Sequence, residues 1–201
     1  KKKKLTLDLG KFYSWIGWEG VEVWNNDLYS RALLYTIVQP NYHTGLRATY
    51  AFNDNNVLSF YATKGWNQTS RNANGLTYGG QYKRVLNSKT TAYLGVISGK
   101  EGSNSPNNGG AFGGIAFLNA GILYTTLYDL ILVRQQSDAW RFTLNASSAT
   151  AGGSKFYGVS AVARYQVNPK LAIAARAESV GDDQGIRFGT PAHASAFTLN
   201  F

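Results

Sequence analysis

The stretch Trp140–Ser148 constrains this chain more than any other. In it Trp140, Phe142, Leu144 and Ala146 alternate with Arg141, Thr143, Asn145 and Ser147. A period of two places successive side chains on opposite faces of a strand, so this segment has one greasy and one wet face. Phe156–Val167 repeats the pattern, with Tyr157, Val159, Ala161, Ala163, Tyr165 and Val167 opposite Gly158, Ser160, Arg164 and Gln166. In Leu171–Ser179, Leu171, Ile173, Ala175 and Ala177 oppose Arg176 and Glu178, and the chain closes on Phe197, Leu199 and Phe201. Less clean versions occupy Leu5–Phe12, His43–Phe52, Val57–Trp66, Leu76–Leu86, Thr90–Lys100 and Ile122–Gln135. The expectation is an all-β chain of about ten strands, each near the ~9–11 residues that cross a bilayer when tilted. One domain covers residues 5–201, after a basic tail or tag at Lys1–Lys4.

The connections sort into two kinds. Asn53–Asn56, Asn87–Lys89, Gln136–Ala139 and Asn168–Lys170 are short and rich in Asn, Asp, Ser or Pro, as tight hairpins require. Ser14–Tyr42, Asn67–Gly75, Glu101–Gly121, Ala149–Lys155 and Gly181–Ala192 are longer and take alternate places between them. Short turns on one side and long loops on the other are the habit of outer-membrane barrels. A closed barrel also pairs every backbone N–H and C=O, so its apolar face can meet lipid while its polar face lines a lumen. A soluble ligand-binding barrel puts its apolar side chains inside instead. Alternation alone does not separate the two. Aromatics at strand ends, arginines recurring opposite apolar rows, and the terminal Phe201 favour the transmembrane, antiparallel, up-and-down β-barrel.

Composition removes other classes. No apolar run approaches the ~18–20 residues of a membrane helix; Asp129 interrupts Ile122–Val133, and Arg164 and Lys170 interrupt Ala161–Ala177. There is no cysteine, hence no disulfide framework or thiolate metal site. The absence of Met reads as a chain without its start codon or signal peptide. The net charge is +9, but four of its 20 basic residues stand in Lys1–Lys4 and the others are dispersed, so no nucleic-acid interface is expected.

The segments LDLGKFYSWIGWE and YSRALLYTIVQPNYHTGLRATYAF, within Leu5–Phe52, resemble the OmpL-like outer-membrane porins of the β-barrel porin-2 family. VARYQVNPKLAIAARAE is a looser echo. The resemblance implies a diffusion pore of the bacterial outer membrane without cofactor or catalytic site, in contact with the lipid bilayer. Family members usually place further strands before LDLGKFY, where this sequence has only Lys1–Lys4, so it reads either as a barrel with a part missing or as a shortened, engineered version that closes on ten strands, whose pore would be tight.

Alternation assigns Asp8, Arg47, Lys83, Asp129, Arg141, Arg164, Arg176 and Glu178 to the lumen. They read either as a weakly anion-preferring lining for ions and small polar solutes, or as internal salt bridges filling a narrow, non-conducting barrel of structural or adhesive role. Ser14–Tyr42 is too apolar for a solvated loop. Its Glu19, Glu22, Asp27 and Arg31 would form a constriction if it folded inward against the barrel arginines. The partial alternation of Trp15–Trp24 favours the other reading, two strand extensions joined near Asn25–Asp27. Trp66, Tyr78, Tyr82, Trp140, Tyr157, Tyr165 and Phe201 are expected in interfacial girdles. A terminal Phe after apolar residues at alternate positions resembles the signal read by the outer-membrane assembly machinery. An oligomer is compatible with this reading, although no interface is evident. Catalysis has little to stand on: only His43 and His193 are available, near Asp182 and Asp183, and no GxSxG motif occurs. Two distant histidines make no metal site, and Gly109–Gly114 lacks the strand–helix context of a phosphate loop.

Overall fold

The computed structural model describes residues 4–69, 75–102 and 122–201. Ten antiparallel strands form one sheet in sequence order: β1 Leu5–Tyr13, β2 Tyr42–Asn53, β3 Asn56–Thr63, β4 Thr77–Asn87, β5 Thr90–Gly102, β6 Ile122–Gln135, β7 Trp140–Ala151, β8 Ser154–Asn168, β9 Leu171–Asp182 and β10 Ala192–Asn200. No helix among the described residues is long and apolar enough to cross a membrane. The up-and-down order follows from the hairpins, since each strand pairs with its sequence neighbours. At the short-turn end Asn53, Asn87 and Asn168 side chains accept from backbone N–H groups two residues on, so these turns carry their own local bonds.

The pleat separates the two faces. Leu7, Leu9, Phe60, Leu94, Tyr128, Phe197 and Leu199 are each more than half exposed, whereas Tyr61, Ile97, Leu127, Asn145, Ser160 and Arg176 are buried. Cross-strand pairs keep like with like: Leu94 lies opposite Leu130 on the outer face, and Asp129 opposite Gly95 and Ser147 on the inner. An inside that is wetter than the outside is the inverse of a water-soluble barrel.

Four sequence expectations need correction. The expected loop Ala149–Lys155 is a two-residue hairpin, because β7 and β8 continue to Ala151 and from Ser154; Gly152 and Gly153 have φ of 56° and 90°, which a two-residue turn demands and glycine supplies. The strand expected over Val57–Trp66 stops at Thr63, and the chain turns inward through Gly65 (φ 116°). Ser14–Tyr42 is no pair of strand extensions. After β1 it folds across the inner face, with only a 3-10 turn at Val23–Asn25 and a π-helical turn at Leu34–Val38. The sheet is also not closed: β1 and β10 each pair along one edge only. Asn200 of β10 instead faces the infolded segment; with its amide oriented so that the oxygen meets the Tyr29 N–H, the two lie 3.2 Å apart. Residues 103–121, which hold most of the expected loop Glu101–Gly121 and the glycine run, lie outside the described residues, as do 1–3 of the basic tail.

If the outer face meets lipid, a charge in mid-strand there is costly. Leu94→Arg should lower the unfolding free energy in lipid vesicles by about 2–4 kcal/mol, measured by urea titration.

Candidate functional site

The segment 14–41 is held against the inner face from end to end. Trp15 enters first. Its indole stacks on Tyr61 with ring centroids 3.6 Å apart, and Gln81 donates to its carbonyl at 2.7 Å. The floor beneath it is backbone: a Cβ on Gly79 would fall 2.2 Å from the indole. Two glycines facing the indole, Gly79 and Gly95, thus leave a flat berth for one large ring. Trp15, Ile16, Leu34, Tyr35, Ile37 and Val38 then form one buried cluster with Ile97, Leu127, Ala149, Phe156 and Val180. Each large apolar side chain buried this way contributes roughly 1.5–3 kcal/mol.

Polar groups on the wall meet the segment's backbone. Asp129 accepts from Gly17 N–H at 2.9 Å, Asn145 from Trp18 N–H at 3.1 Å, and Glu178 from Leu33 N–H at 2.6 Å. Gln39 projects from the segment into the same cluster, donating to Asn145 at 2.9 Å and Ser147 at 2.8 Å. At the loop end Arg187 donates to the Ile37 carbonyl at 2.5 Å, while Asp182 accepts from the N–H groups of Ile186, Arg187 and Phe188. Burial pushes the Arg187 guanidinium down to about 10, which leaves it charged at neutral pH. These contacts satisfy backbone groups that a segment without regular structure would otherwise bury unpaired.

Charge completes the attachment. Arg176, 2% exposed, binds Glu19 of the segment at 2.7 Å and Glu178 of its own strand at 2.9 Å. It also donates to the carbonyls of Ser30 and Arg31. Asp27 is held by Arg141 and, at 3.7 Å, by Arg164. Arg31 braces the segment internally, its guanidinium donating to the carbonyls of Gly20 and Val21 and lying 4.6 Å from the Tyr35 ring. Glu22 makes no ion pair with an arginine among the described residues; it accepts from Tyr13 at 3.2 Å and Asn25 at 2.7 Å. Burial holds the Glu19 carboxyl above its ordinary range despite the arginine beside it.

Of the eight residues assigned to the lumen, five touch this segment: Asp129, Arg141, Arg164, Arg176 and Glu178. Arg47 binds Asp8 at 2.8 Å, away from it. Lys83 stands two residues from Gln81 on the same face, 6.0 Å from the Tyr93 ring. A polar cavity of about 330 Å3 remains beside the segment, bordered by Tyr13, Ser14, Arg47, Tyr61, Gln81 and Tyr93. Gln39, Arg187 and the strand residue Glu101, which accepts from Trp66 N–H at 3.0 Å, carry no local pattern that sequence could reveal.

Among the girdle residues, Trp140 and Tyr165 meet on the outer face near the short-turn end at 4.7 Å, and Tyr78 and Tyr157 stand outward near the loop end. Tyr82 bonds Asn56. Phe201, 91% exposed, follows the end of β10. Trp66 does not belong with them. It is 4% exposed and packs edge-on against Phe156, because the chain has already turned inward at Gly65.

The family model described as "Putative beta-barrel porin-2, OmpL-like" matches residues 1–201, the whole chain. The chain belongs to this porin family. Neither curated proteins nor solved structures returned a match. Membership implies a lipid bilayer environment, and the apolar outer face of the porin suits one. The family is not an enzyme family, and no cluster of three His, Asp or Glu residues able to hold a metal occurs among the described residues.

Arg176→Leu should cost about 3–5 kcal/mol, since it leaves Glu19 and Glu178 buried without their cation. Glu19 already has a raised value when folded, so its charged form is the destabilising one, and that penalty grows as pH rises through the folded value. The variant's deficit should therefore be larger at pH 7 than at pH 5 in urea unfolding of the refolded protein.

Proposed function

We propose that this porin is a channel of the bacterial outer membrane for passive diffusion of ions and small hydrophilic solutes, through a lumen narrowed by the infolded segment 14–41. The observation that carries this reading is the polar cavity of about 330 Å3 left beside that segment. Its border of tyrosines, Arg47 and Gln81 offers hydrogen-bonding partners to a hydrated solute and no step that would couple energy. Asp8, Arg47, Lys83, Asp129, Arg141, Arg164, Arg176 and Glu178 would line or flank the path, with Glu19, Asp27 and Arg31 shaping its constriction. More inner-face cations than anions reach water, which supports a weak anion preference. The exposed terminal Phe201 would engage the outer-membrane assembly machinery.

The buried ion pairs of Arg176 favour one competing reading: a structural or adhesive barrel whose filled lumen does not conduct. The apolar outer face argues against a third, a soluble ligand-binding barrel, which would be stable in buffer without detergent.

Planar-bilayer recording separates the first two. Discrete, small conductance steps are expected, with a reversal potential of mild anion preference under a salt gradient. Silence across repeated reconstitutions sinks the channel, and clear cation preference overturns the charge assignment.

A further inference from the structure

Arg141 and Arg164 are direct cross-strand partners on the inner face. Two like charges placed opposite one another on a sheet repel, so the pair is unfavourable unless an anion lies between them. The anion here is the carboxylate of Asp27, which both guanidiniums reach and which also accepts from the indole N–H of Trp18 at 3.2 Å. No other carboxylate among the described residues lies within ion-pair distance of either arginine. The arginine side chains are 30% and 29% exposed, while Asp27 is 3% exposed beneath them. Buried Arg141 Nε has no hydrogen-bond partner among the described residues. That donor faces inward; the exposure of the pair lies on the rest of the two side chains, which together carry more N–H donors than one carboxylate uses.

We propose that Arg141 and Arg164 form a binding site for small oxyanions, carboxylate or phosphate, in which Asp27 is a tethered competitor whose displacement detaches only its own stretch of the segment, while Trp15, Glu19 and Leu34 stay docked. A planar, multi-donor guanidinium pair matches such anions by geometry as well as charge. The site lies toward the short-turn end, since Arg141 is the second residue of β7 and Arg164 lies four residues before the end of β8. An anion arriving from that side meets the exposed arginines before it meets Asp27. The tether sets the scale of the competition. A carboxylate on a short segment acts at an effective concentration in the millimolar range, so a free anion competes at concentrations on the order of 10 mM. Binding at the site is independent of conduction; only its consequence for current rests on the channel reading above.

Trp18 gives the readout, because its indole N–H loses its acceptor when Asp27 leaves. The 201-residue chain, refolded in detergent, is titrated with inorganic phosphate and with sodium chloride at matched ionic strength. Phosphate is expected to change tryptophan emission with a midpoint on the order of 10 mM, and chloride is not. Trp18→Phe should abolish the change. Asp27→Asn should start at the phosphate-saturated emission and respond little. An Arg141→Gln/Arg164→Gln double variant should lose the response, with heat-dependent gel mobility checking that it folds; if it does not fold, the single variants Arg141→Gln and Arg164→Gln should each move the midpoint to higher phosphate, and an unchanged midpoint in both overturns the proposal. Equal effects of chloride and phosphate would reduce the contact to screening and overturn the proposal, as would a response that survives Trp18→Phe or no response at all. In bilayers, phosphate on the short-turn side should raise conductance to the level of Asp27→Asn. A fluorescence response without any current would sink the channel and leave the anion site standing. Current without the fluorescence response would sink the site alone.

Discussion

Everything in this molecule depends on where the backbone finds its hydrogen bonds. Inside a bilayer an unpaired N–H or C=O has no water to turn to, and each costs several kcal/mol. The antiparallel ladder answers that constraint for β2 to β9 and for the paired edges of β1 and β10, and it fixes the two-residue period on which the apolar outer face and polar inner face rest. The segment 14–41 has no ladder of its own. It meets the same constraint with side chains instead: Asp129, Asn145 and Glu178 from the wall, Asn26 and Glu19 from within the segment. The inner-face carboxylates and amides thus serve as a substitute for secondary structure as much as a lining.

That double use explains the distribution of charge. The wall from β6 to β9 supplies Arg141, Arg164 and Arg176, and the segment returns Asp27 and Glu19 to them. On the opposite wall Arg47 is matched within the sheet by Asp8, and Lys83 lies 6.0 Å from the Tyr93 ring. The two halves of the interior differ in kind: one clasps the segment with charges, the other seats the Trp15 ring and borders the open cavity. A count of lumen charges treats these halves as one, which is why such a count cannot distinguish a lining from a set of clasps.

The strands were legible because their signal is local: Trp140–Ser148 declares two faces within nine residues, and its alternation persists to Ala151. The segment 14–41 was misread for the opposite reason. Trp15–Trp24 alternates over a few positions, yet its conformation is decided by Asp129, Asn145 and Arg176, more than a hundred residues away. Trp66 misled in a similar way, since an aromatic at a strand end looks the same whether the strand continues or turns in at Gly65. The inner-face positions of Arg141, Arg164, Arg176 and Glu178 followed from parity alone; their partners did not, because parity carries no information about what crosses the interior.

The separations along the chain have a consequence for assembly. The bonds from Gly17 to Asp129 and from Arg176 to Glu19 span 112 and 157 residues, and contacts of such high order form late. The segment leaves β1 near the start of the chain, but its berth is complete only when β9 has joined the sheet. Until then Trp15, Ile16, Leu34 and Val38 have no wall to cover them, and the growing sheet carries a greasy, unmoored strap. The last hairpins therefore do more than add width: their arrival converts the strap from a hazard into a core.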